Sequence, residues 1–315
     1  MNYAIETADL RKRFGDTHAV DGISLSVTKG SVFGLLGPNG AGKTTTVRLL
    51  ATLLAPTSGS ARVLGHDLLT EAAQIRSKVS LTGQFASVDE DLTGMENLVL
   101  LSRLLGHSWR GARQRANELL EAFDLAEAAG RQARTYSGGM RRRLDIAASL
   151  IVTPEILFLD EPTTGLDPRS RNQVWDMVRD IAAIGTTVLL TTQYLEEADQ
   201  LADRLAVIDH GKLIAAGTSR ELKASVGSGT LKIHLQDGAQ RMPAETLLQS
   251  LTGGQAQATT EGLSVQVTDT AQAMQILHEL NNGGIGVAEF SLGSPSLDEV
   301  FFALTGKSQH NEVAA

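Results

Sequence analysis

The strongest chemical signal in the sequence is a glycine-rich stretch that ends in lysine and threonine. Residues 37–44 are Gly-Pro-Asn-Gly-Ala-Gly-Lys-Thr and match the pattern G-x-x-x-x-G-K-[ST]. Such a loop points successive backbone N–H groups at phosphate oxygens, and the helix that follows adds its positive N-terminal dipole. We expect Lys43 to neutralise the β and γ phosphates, Thr44 to offer its hydroxyl to Mg²⁺, and Thr45 to hold an α or β phosphate oxygen. The predicted nucleoside triphosphate site consists of Gly37, Pro38, Asn39, Gly40, Ala41, Gly42, Lys43, Thr44 and Thr45.

A second candidate group is an acidic pair, Asp160 and Glu161, which follows the apolar run Ile156 to Leu159. If the run is a parallel strand, the pair lies at the carboxyl edge of the sheet, where open α/β sheets bind their ligands. Asp160 then fits a carboxylate linked to Mg²⁺, and Glu161 fits a residue that orients or deprotonates the attacking water. An isolated Asp-Glu pair is more often a solvated strand end, but the phosphate loop favours the functional interpretation.

The elements that must position these groups alternate between strands and helices. A helix is predicted from Lys43 to Leu54, directly after the loop. Asp91 to Tyr136 is rich in helix formers and indicates an inserted helical subdomain, at about residues 89–136. We therefore predict an α/β domain of the P-loop NTPase type over residues 1–225. Its short apolar strand candidates are Ser31 to Leu36, Val79 to Thr82, Ile156 to Leu159 and Thr187 to Leu190.

The pattern changes after a Gly/Ser-rich linker at residues 226–230, and a second domain is predicted over residues 226–306. Its order β-α-β-β-α-β suggests a small α+β, ferredoxin-like unit. Residues 296–304 form a predicted closing helix with a capping box, and residues 307–315 a flexible tail. The predicted elements are strand Leu231 to Gln236, helix Ala244 to Leu251, hairpin strands Gln255 to Thr260 and Leu263 to Thr268, helix Ala271 to Leu280 and strand Gly286 to Leu292.

Composition excludes several classes of protein. The chain has 315 residues, no cysteine, and a net charge of −8 from 28 basic and 36 acidic residues. The absence of cysteine excludes disulfide frameworks, thiolate zinc sites and cysteine nucleophiles. The acidic balance disfavours nucleic acid as a partner. No export signal is visible, and no apolar run approaches the roughly 18 to 20 residues that cross a bilayer, so any membrane function is expected to need a partner.

Residues 136–140, Tyr-Ser-Gly-Gly-Met, resemble the signature motif of ABC ATPases. Ser137 can cap a helix beginning near Met140, so that its hydroxyl and the N–H groups of Gly138 and Gly139 face an anion. An ordinary helix cap is the alternative for this loop taken alone. In the family, the loop closes on the ATP held by the other subunit, so the resemblance implies a homodimer with two ATP molecules between facing domains.

Three further residues match landmarks of the family in chain order. Gln84 resembles the Q-loop residue, which is implied to sense Mg²⁺ and water. Asp167, in Gly165-Leu166-Asp167, resembles the D-loop residue beside the partner's site. Phe14 stands where the family stacks an aromatic ring on adenine, although a core aromatic is its alternative.

Two departures from the family pattern matter for the chemistry. Gln193 occupies the switch position that usually holds histidine, and Met140 replaces the usual glutamine of the signature. A glutamine amide can donate to a γ-phosphate but cannot carry a proton, so slow hydrolysis and no imidazole-like titration near about pH 6 to 7 are expected. The predicted catalytic residues are Glu161, Gln193 and Lys43. The predicted Mg²⁺ ligands are Thr44, Gln84 and Asp160.

Three segments narrow the resemblance to the daunorubicin-resistance ATPases of actinobacterial drug exporters. They are residues 136–143, residues 191–199 and the terminal run 296–306. Within the first of them, at least two of Arg141 to Arg143 are expected to lie on a solvated helix face.

The resemblance implies an ATP-hydrolysing subunit, peripheral at the cytoplasmic face of the membrane, that drives a separately encoded integral permease. Export of an amphipathic, anthracycline-like drug is the favoured task. Alternatives are export of a lipid or other non-drug cargo, a soluble ABC ATPase that does not transport, and a module that holds ATP with little hydrolysis. Since those non-transport ATPases usually carry two cassettes per chain, coiled-coil insertions or zinc sites, the sequence favours the transport subunit.

Overall fold

The computed structural model describes residues 2–83, 88–226, 229–253, 256–258, 262–268, 270–293, 297, 300 and 301. The chain divides into two compact units, Met1–Ala216 and Gly217–Ala315. This boundary at residue 217 lies nine residues before the predicted one at 226, because the helix Ser219–Val226 falls in the second unit.

The first unit alternates strands and helices as the sequence predicts. Its strands are β1 (Tyr3–Phe14), β2 (Thr17–Ile23), β3 (Ser26–Thr28), β4 (Val32–Leu36), β5 (Ser58–Val63), β6 (His66–Asp67), β7 (Val79–Thr82), β8 (Ile156–Asp160), β9 (Thr187–Thr192), β10 (Arg204–Asp209) and β11 (Lys212–Gly217, which ends at the boundary). Its helices are α1 (Lys43–Leu50), α2 (Ala72–Arg76), α3 (Gly94–Leu104), α4 (Trp109–Ala122), α5 (Gly138–Ser149), α6 (Pro168–Ala183) and α7 (Leu195–Leu201), with short 3-10 turns at Ala126–Ala128 and Ala133–Thr135.

A six-stranded sheet with the order β11-β10-β4-β9-β8-β7 forms the centre of this unit. Strands β10, β4, β9, β8 and β7 are parallel neighbours, and every residue of β4, β8 and β9 is buried. Their near-continuous apolar sequences are those expected of strands covered on both faces. The register pairs Leu36 with Thr192 and Asp160 with Thr191, so the ends of β4, β8 and β9 meet at one edge.

Helix α1 is four residues shorter than predicted. It ends at Leu50, and Thr52 adopts a left-handed φ of 59° that reverses the chain direction. The N–H groups of Leu53 and Leu54 then both bond back to the carbonyl of Arg48, which satisfies an orphan acceptor of the last turn.

A separate antiparallel sheet contains β2-β1-β5-β6 in that order, with β3 paired to β1. Its β1 strand ends at Phe14, where residues Phe14 and Thr17 are opposite each other across the turn to β2. This sheet therefore positions the aromatic residue that the sequence singles out.

Helices α3 and α4 build the predicted helical insertion. Thr93 and Glu96 form a complete capping box at the start of α3, and Ser108 caps α4 by accepting from the N–H of Gly111. Tyr136 closes the insertion by donating its hydroxyl to the carbonyl of Ala128 at 2.8 Å. The signature motif thus begins at a buried anchor.

After a first helix, the second unit has the predicted β-α-β-β-α-β order. Its elements are α8 (Ser219–Val226), β12 (Gly229–Leu235), a 3-10 turn (Gly238–Gln240), α9 (Arg241–Thr252), β13 (Gln257–Ala258), β14 (Leu263–Val267), α10 (Thr270–Asn282) and β15 (Val287–Gly293). The sheet order is β13-β14-β12-β15 and the neighbours are antiparallel, which is the ferredoxin-like arrangement. Its own core includes Leu231, Leu248, Val265, Ile276 and Leu280.

Most of the predicted closing helix and all of the predicted tail lie outside the described residues. Of the predicted closing helix, the structure describes residues 297, 300 and 301. Leu297 and Val300 are buried, as expected for an apolar face with helical spacing. No helix within the described ranges combines the length and apolar character needed to span a bilayer.

Candidate nucleotide and catalytic site

The predicted phosphate loop connects β4 to α1 in a strained, glycine-dependent conformation. Gly40 and Gly42 have φ values of 80° and 101°. Two features exclude a side chain at position 42. The φ of 101° is one that residues with a side chain rarely adopt, and a Cβ there would lie 2.2 Å from the carbonyl oxygen of Ala19. Gly42 is the N-cap of α1, and a glycine has no side chain that could accept from the N–H groups of the first turn. This geometry is an anion cradle.

Lys43, the first residue of α1, contacts this loop, and only 4% of its side chain is exposed. Its ammonium donates to the carbonyls of Gly37 at 2.7 Å and Pro38 at 3.1 Å, and lies 3.4 Å from Oε1 of Glu161. Burial lowers the pKa of Lys43, while the charges of Glu161 and Asp160 act in the opposite direction. A desolvated cation beside an anion cradle interacts strongly with any phosphate bound there.

Asp160 ends β8 and is almost fully buried. Its Oδ1 accepts from the hydroxyl of Thr44 at 3.0 Å and from the hydroxyl of Thr191 at 2.6 Å. One carboxylate and two hydroxyls therefore meet between α1, β8 and β9. Oxygen ligands of this kind suit Mg²⁺, which is bound in phosphate-transfer sites by one or two carboxylates together with the substrate phosphates.

Glu161 adopts a left-handed backbone conformation with a φ of 49°. Its N–H donates to both the carbonyl and the hydroxyl of Thr191, at 3.2 and 3.0 Å. Its carboxylate accepts from the hydroxyl of Thr164 at 3.4 Å and faces Lys43. A non-glycine residue in this region costs on the order of 1–3 kcal/mol, and such strain clusters at functional sites. The surrounding contacts fix the carboxylate beside the phosphate loop.

The signature residues are positioned by a different set of contacts. Ser137 is the N-cap of α5 and accepts from the N–H of Met140 at 3.2 Å, which confirms the predicted cap. A Cβ at Gly139 would lie 2.4 Å from the hydroxyl oxygen of Ser170, so glycine is required by close packing on α6. Asp167 caps α6 by accepting from the N–H and hydroxyl of Ser170. Ser170 thus links the signature loop to the predicted D-loop of the same chain.

The remaining predicted residues differ in how the structure places them. Phe14 is 49% exposed with the ammonium of Lys12 at 5.1 Å from its ring centroid, so it is not a core aromatic. Gln193 is half-buried directly after β9, where the N–H of Tyr194 donates to the hydroxyl of Thr192 and turns the chain into α7. Gln84 lies outside the described residues.

Two of the three arginines that follow the signature motif do not lie on a solvated helix face, contrary to the prediction. Arg142 donates to the main-chain carbonyls of Pro162, Gly83 and Asp160. Arg143 is buried and donates to the carbonyls of Phe123 and Asp124, at 3.1 and 3.3 Å. Only Arg141, paired with Glu90, retains a largely surface role. The prediction that at least two of the three are solvated is wrong, because carbonyl acceptors distant in sequence fold over this part of α5.

Glu197 is a buried carboxylate that sequence reasoning missed. It is fully buried on α7, and its Oε1 accepts from the hydroxyl of Thr163 at 2.8 Å and from the indole of Trp175 at 3.3 Å. Burial raises the pKa of Glu197, while hydrogen bonds from Thr192, Thr163 and Trp175 oppose the shift. Glu197 lies four residues before Leu201, and both are on the buried face of α7. A polar residue at such a position was the signal by which the sequence could have identified Glu197.

Replacing Glu197 with glutamine is expected to change the pH dependence of stability. Since the folded pKa is raised above the unfolded one, the carboxyl contributes stability below its unfolded pKa, and this contribution is lost as pH rises through the folded pKa. The unfolding free energy of Glu197→Gln, relative to wild type, should therefore increase between about pH 5 and about pH 8. Urea unfolding at the two pH values measures this difference.

The matched control for that experiment is Glu196→Gln, which changes the neighbouring carboxylate on the exposed side of the helix. Glu196 is 69% exposed and pairs with Arg171 at 3.7 Å, so its substitution should give only a small pH-dependent difference. Equal pH dependence in the two variants would show that Glu197 does not bind a proton on folding.

Comparison with known proteins gives consistent matches to both units. A family model described as ABC transporter matches residues 20–164, and one described as ATP-binding protein DrrA1-3-like, C-terminal domain, matches residues 217–305. The daunorubicin/doxorubicin resistance ATP-binding protein DrrA of Streptomyces peucetius is 59% identical over 305 residues, which cover 96% of this chain and 92% of the relative. The doxorubicin resistance ATP-binding protein DrrA of Mycobacterium tuberculosis is 46% identical over 309 residues, covering 96% of this chain and 93% of the relative.

A solved structure also resembles the chain. The crystal structure of the ADP conformation of an ATP-binding cassette of an ABC transporter has a TM-score of 0.64 and 27% identity, covering 70% of this chain and 93% of that one. The P-loop NTPase fold predicted from the sequence is therefore confirmed.

Proposed function

The chain belongs to the DrrA-type family of ABC transporter ATP-binding proteins, and from this we propose that it drives drug export through a separately encoded membrane permease. It is an ATPase subunit of an ABC transporter. The observation that carries the proposed ATP chemistry is that Lys43, Thr44, Asp160 and Glu161 meet at one edge of the sheet. These side chains come from the start of α1 and from the end of β8 with the residue after it, and they assemble beside the phosphate loop.

Each side chain of this cluster has a role that follows from its chemistry. The cradle N–H groups and Lys43 hold the phosphates and stabilise the negative charge that builds up during transfer. The carboxylate of Glu161 lies 3.4 Å from Lys43 and so beside the phosphate loop. In this position Glu161 orients the attacking water and accepts its proton. Gln193 can donate its amide to a phosphate oxygen, but it cannot take up the proton. The proton of the attacking water therefore goes to Glu161.

The oxygen cluster around Asp160 fits Mg²⁺. Thr44 and Asp160 are the residues that would hold the ion, and both offer oxygen atoms. The third oxygen at this point, from Thr191, fixes the orientation of the carboxylate. When bound, Mg²⁺ neutralises charge on the β and γ phosphate oxygens. Gln84, the third predicted ligand, stays a prediction.

Replacing Asp160 with asparagine tests this part of the proposal. The substitution removes the carboxylate charge, so the Mg²⁺ concentration needed for half-maximal hydrolysis should rise at least about tenfold, since charged hydrogen-bond partners contribute about 1.5–3 kcal/mol. Binding of ATP without Mg²⁺ should change little. Phosphate release titrated with Mg²⁺ measures the effect, with the exposed Asp176→Asn as the control. An unchanged Mg²⁺ requirement would remove Asp160 from the metal site.

The signature loop is proposed to bind the ATP of a second copy of the chain. Ser137 and the start of α5 present a hydroxyl, N–H groups and the positive end of a helix. The phosphate loop of the same chain lies far away in sequence, at residues 37–44. A two-fold arrangement would place this anion site opposite the phosphate loop of the facing copy. Phe14, exposed at the end of β1, is proposed to stack on adenine.

The proposed cargo is an amphipathic drug of the anthracycline type, exported from the cytoplasmic face of the membrane. The support is the pair of relatives at 59% and 46% identity, which are named for daunorubicin and doxorubicin resistance. The permease is proposed to be a separate integral membrane chain, as in the family that the sequence resembles. Reconstitution with that permease tests the cargo directly.

A further inference from the structure

Arg142 lies two residues after the signature motif, on α5. Its side chain contacts the edge of the sheet that carries Asp160 and Glu161. Its Nε donates to the carbonyl of Pro162 at 2.9 Å, its Nη1 to the carbonyl of Gly83 at 2.9 Å, and its Nη2 to the carbonyl of Asp160 at 3.3 Å. All three acceptors belong to the main chain. One guanidinium therefore joins α5 to the ends of β7 and β8.

The three acceptors have specific positions relative to the proposed chemistry. Asp160 and Pro162 are the residues on either side of Glu161, and Gly83 immediately precedes Gln84. Thr191 holds the N–H of Glu161, while Arg142 holds the carbonyl before Glu161 and the carbonyl after it. The left-handed backbone of Glu161 is thus fixed on three sides. The Arg142 guanidinium therefore holds the main chain on both sides of Glu161.

Only a guanidinium has the donors for this arrangement. Arginine presents five N–H donors in a rigid planar fork, whereas a lysine ammonium is a point charge on a flexible stem. Burial lowers the pKa of Arg142, while the nearby carboxylates of Asp145, Glu197 and Asp160 oppose that shift. The group remains charged at neutral pH because arginine does not lose its proton in proteins.

The neighbouring arginines on α5 do not share this role. Arg141 pairs with Glu90 at 2.9 Å at the surface. Arg143 binds the carbonyls of Phe123 and Asp124, within the helical insertion. They provide matched substitutions in the same helix.

We propose that Arg142 is a positioning residue that transmits engagement of the signature loop to Glu161 in the same chain. The inference rests on the proposed function, in which Ser137 and α5 bind the ATP of one site while Glu161 acts on the ATP of the other. Any displacement of α5 toward that first ATP is passed through the Arg142 guanidinium to both carbonyls around Glu161. Occupancy of one site then sets the water-orienting carboxylate in the second, and hydrolysis becomes cooperative in ATP.

The test compares Arg142→Lys and Arg142→Gln with Arg141→Lys and Arg141→Gln in the full-length chain. We expect kcat to fall about tenfold in Arg142→Lys and about 100-fold in Arg142→Gln, because a small misplacement of a catalytic group can cost about 10²-fold. KM and the affinity for ATP should change less than about twofold. The Hill coefficient for ATP should fall toward one. Both Arg141 variants should keep the wild-type kcat and Hill coefficient.

Two results would overturn the inference while leaving the proposed function intact. One is wild-type kcat and cooperativity in Arg142→Lys. The other is a parallel loss of ATP affinity and kcat in both Arg142 variants, which indicates a structural role for the side chain. The Glu161→Gln variant, measured beside them, separates the inference from its premise. If Glu161→Gln hydrolyses ATP at the wild-type rate, the role proposed for Glu161 fails as well.

Discussion

Replacing Glu161 with glutamine is expected to lower the rate of ATP hydrolysis by about 10²–10⁴-fold, the range attributed to a positioned general base. Glutamine has nearly the same shape and can still accept from the hydroxyl of Thr164, so the loop around position 161 should persist. The amide cannot accept the proton of the attacking water. Affinity for ATP should change little, because Glu161 faces Lys43 and is not part of the phosphate cradle. Phosphate release and equilibrium nucleotide binding measure the two quantities separately.

The control for this substitution is Glu155→Gln. Glu155 is half exposed, pairs with Lys78 at 3.2 Å and precedes the opposite end of β8, so the same chemical change there should leave hydrolysis intact. Because ATP is bound by Glu161→Gln but not consumed, this variant should accumulate as a homodimer when ATP is added. Retention of more than about half of the wild-type rate would assign proton transfer to another group.

Replacing Lys43 with alanine is expected to weaken ATP binding by about 10- to 100-fold. The estimate follows from the loss of a charged hydrogen-bond donor, about 1.5–3 kcal/mol, and each factor of ten in affinity corresponds to about 1.4 kcal/mol. Hydrolysis at saturating ATP should also fall, since Lys43 stabilises charge on the transferred phosphate. The effect is large because the ammonium is almost completely buried and held by the carbonyls of Gly37 and Pro38.

The matched control is Lys78→Ala, which removes a partly exposed lysine of the same unit. Its ion pair with Glu155 is a surface contact that contributes about 0–1 kcal/mol, so nucleotide affinity should not change. The double variant Lys43→Ala with Glu161→Gln should show a non-additive loss, because the two side chains lie 3.4 Å apart. Wild-type affinity in Lys43→Ala would contradict the assignment of residues 37–45 as the phosphate cradle.

Local sequence patterns predicted the elements that carry the site. The strands that end near Leu36, Thr82 and Asp160 are where the apolar runs place them, because parallel buried strands require such runs. The glycine-rich loop also needed no tertiary information, since its pattern implies its conformation. The ferredoxin-like order of the second unit followed from alternating helix and strand periods.

Contacts between distant parts of the chain could not be predicted in this way. The interaction of Arg142 with Gly83 joins residues 59 positions apart, and no property of α5 indicates it. Thr191 could have been found as the polar end of β9, but its bonds to Asp160 and Glu161 depend on the register of two strands. The early end of α1 follows from the left-handed conformation of Thr52, which β-branched residues rarely adopt. Such features are set by tertiary structure.

The proposed drug export is tested most directly by measuring drug accumulation in a drug-sensitive bacterium that coexpresses this chain and its permease. We expect lower anthracycline accumulation with the wild-type chain. With Glu161→Gln we expect the accumulation seen in cells that express neither protein. The Glu155→Gln control should export as wild type does. Unchanged accumulation, although both proteins reach the membrane and hydrolyse ATP, would contradict the proposed drug export.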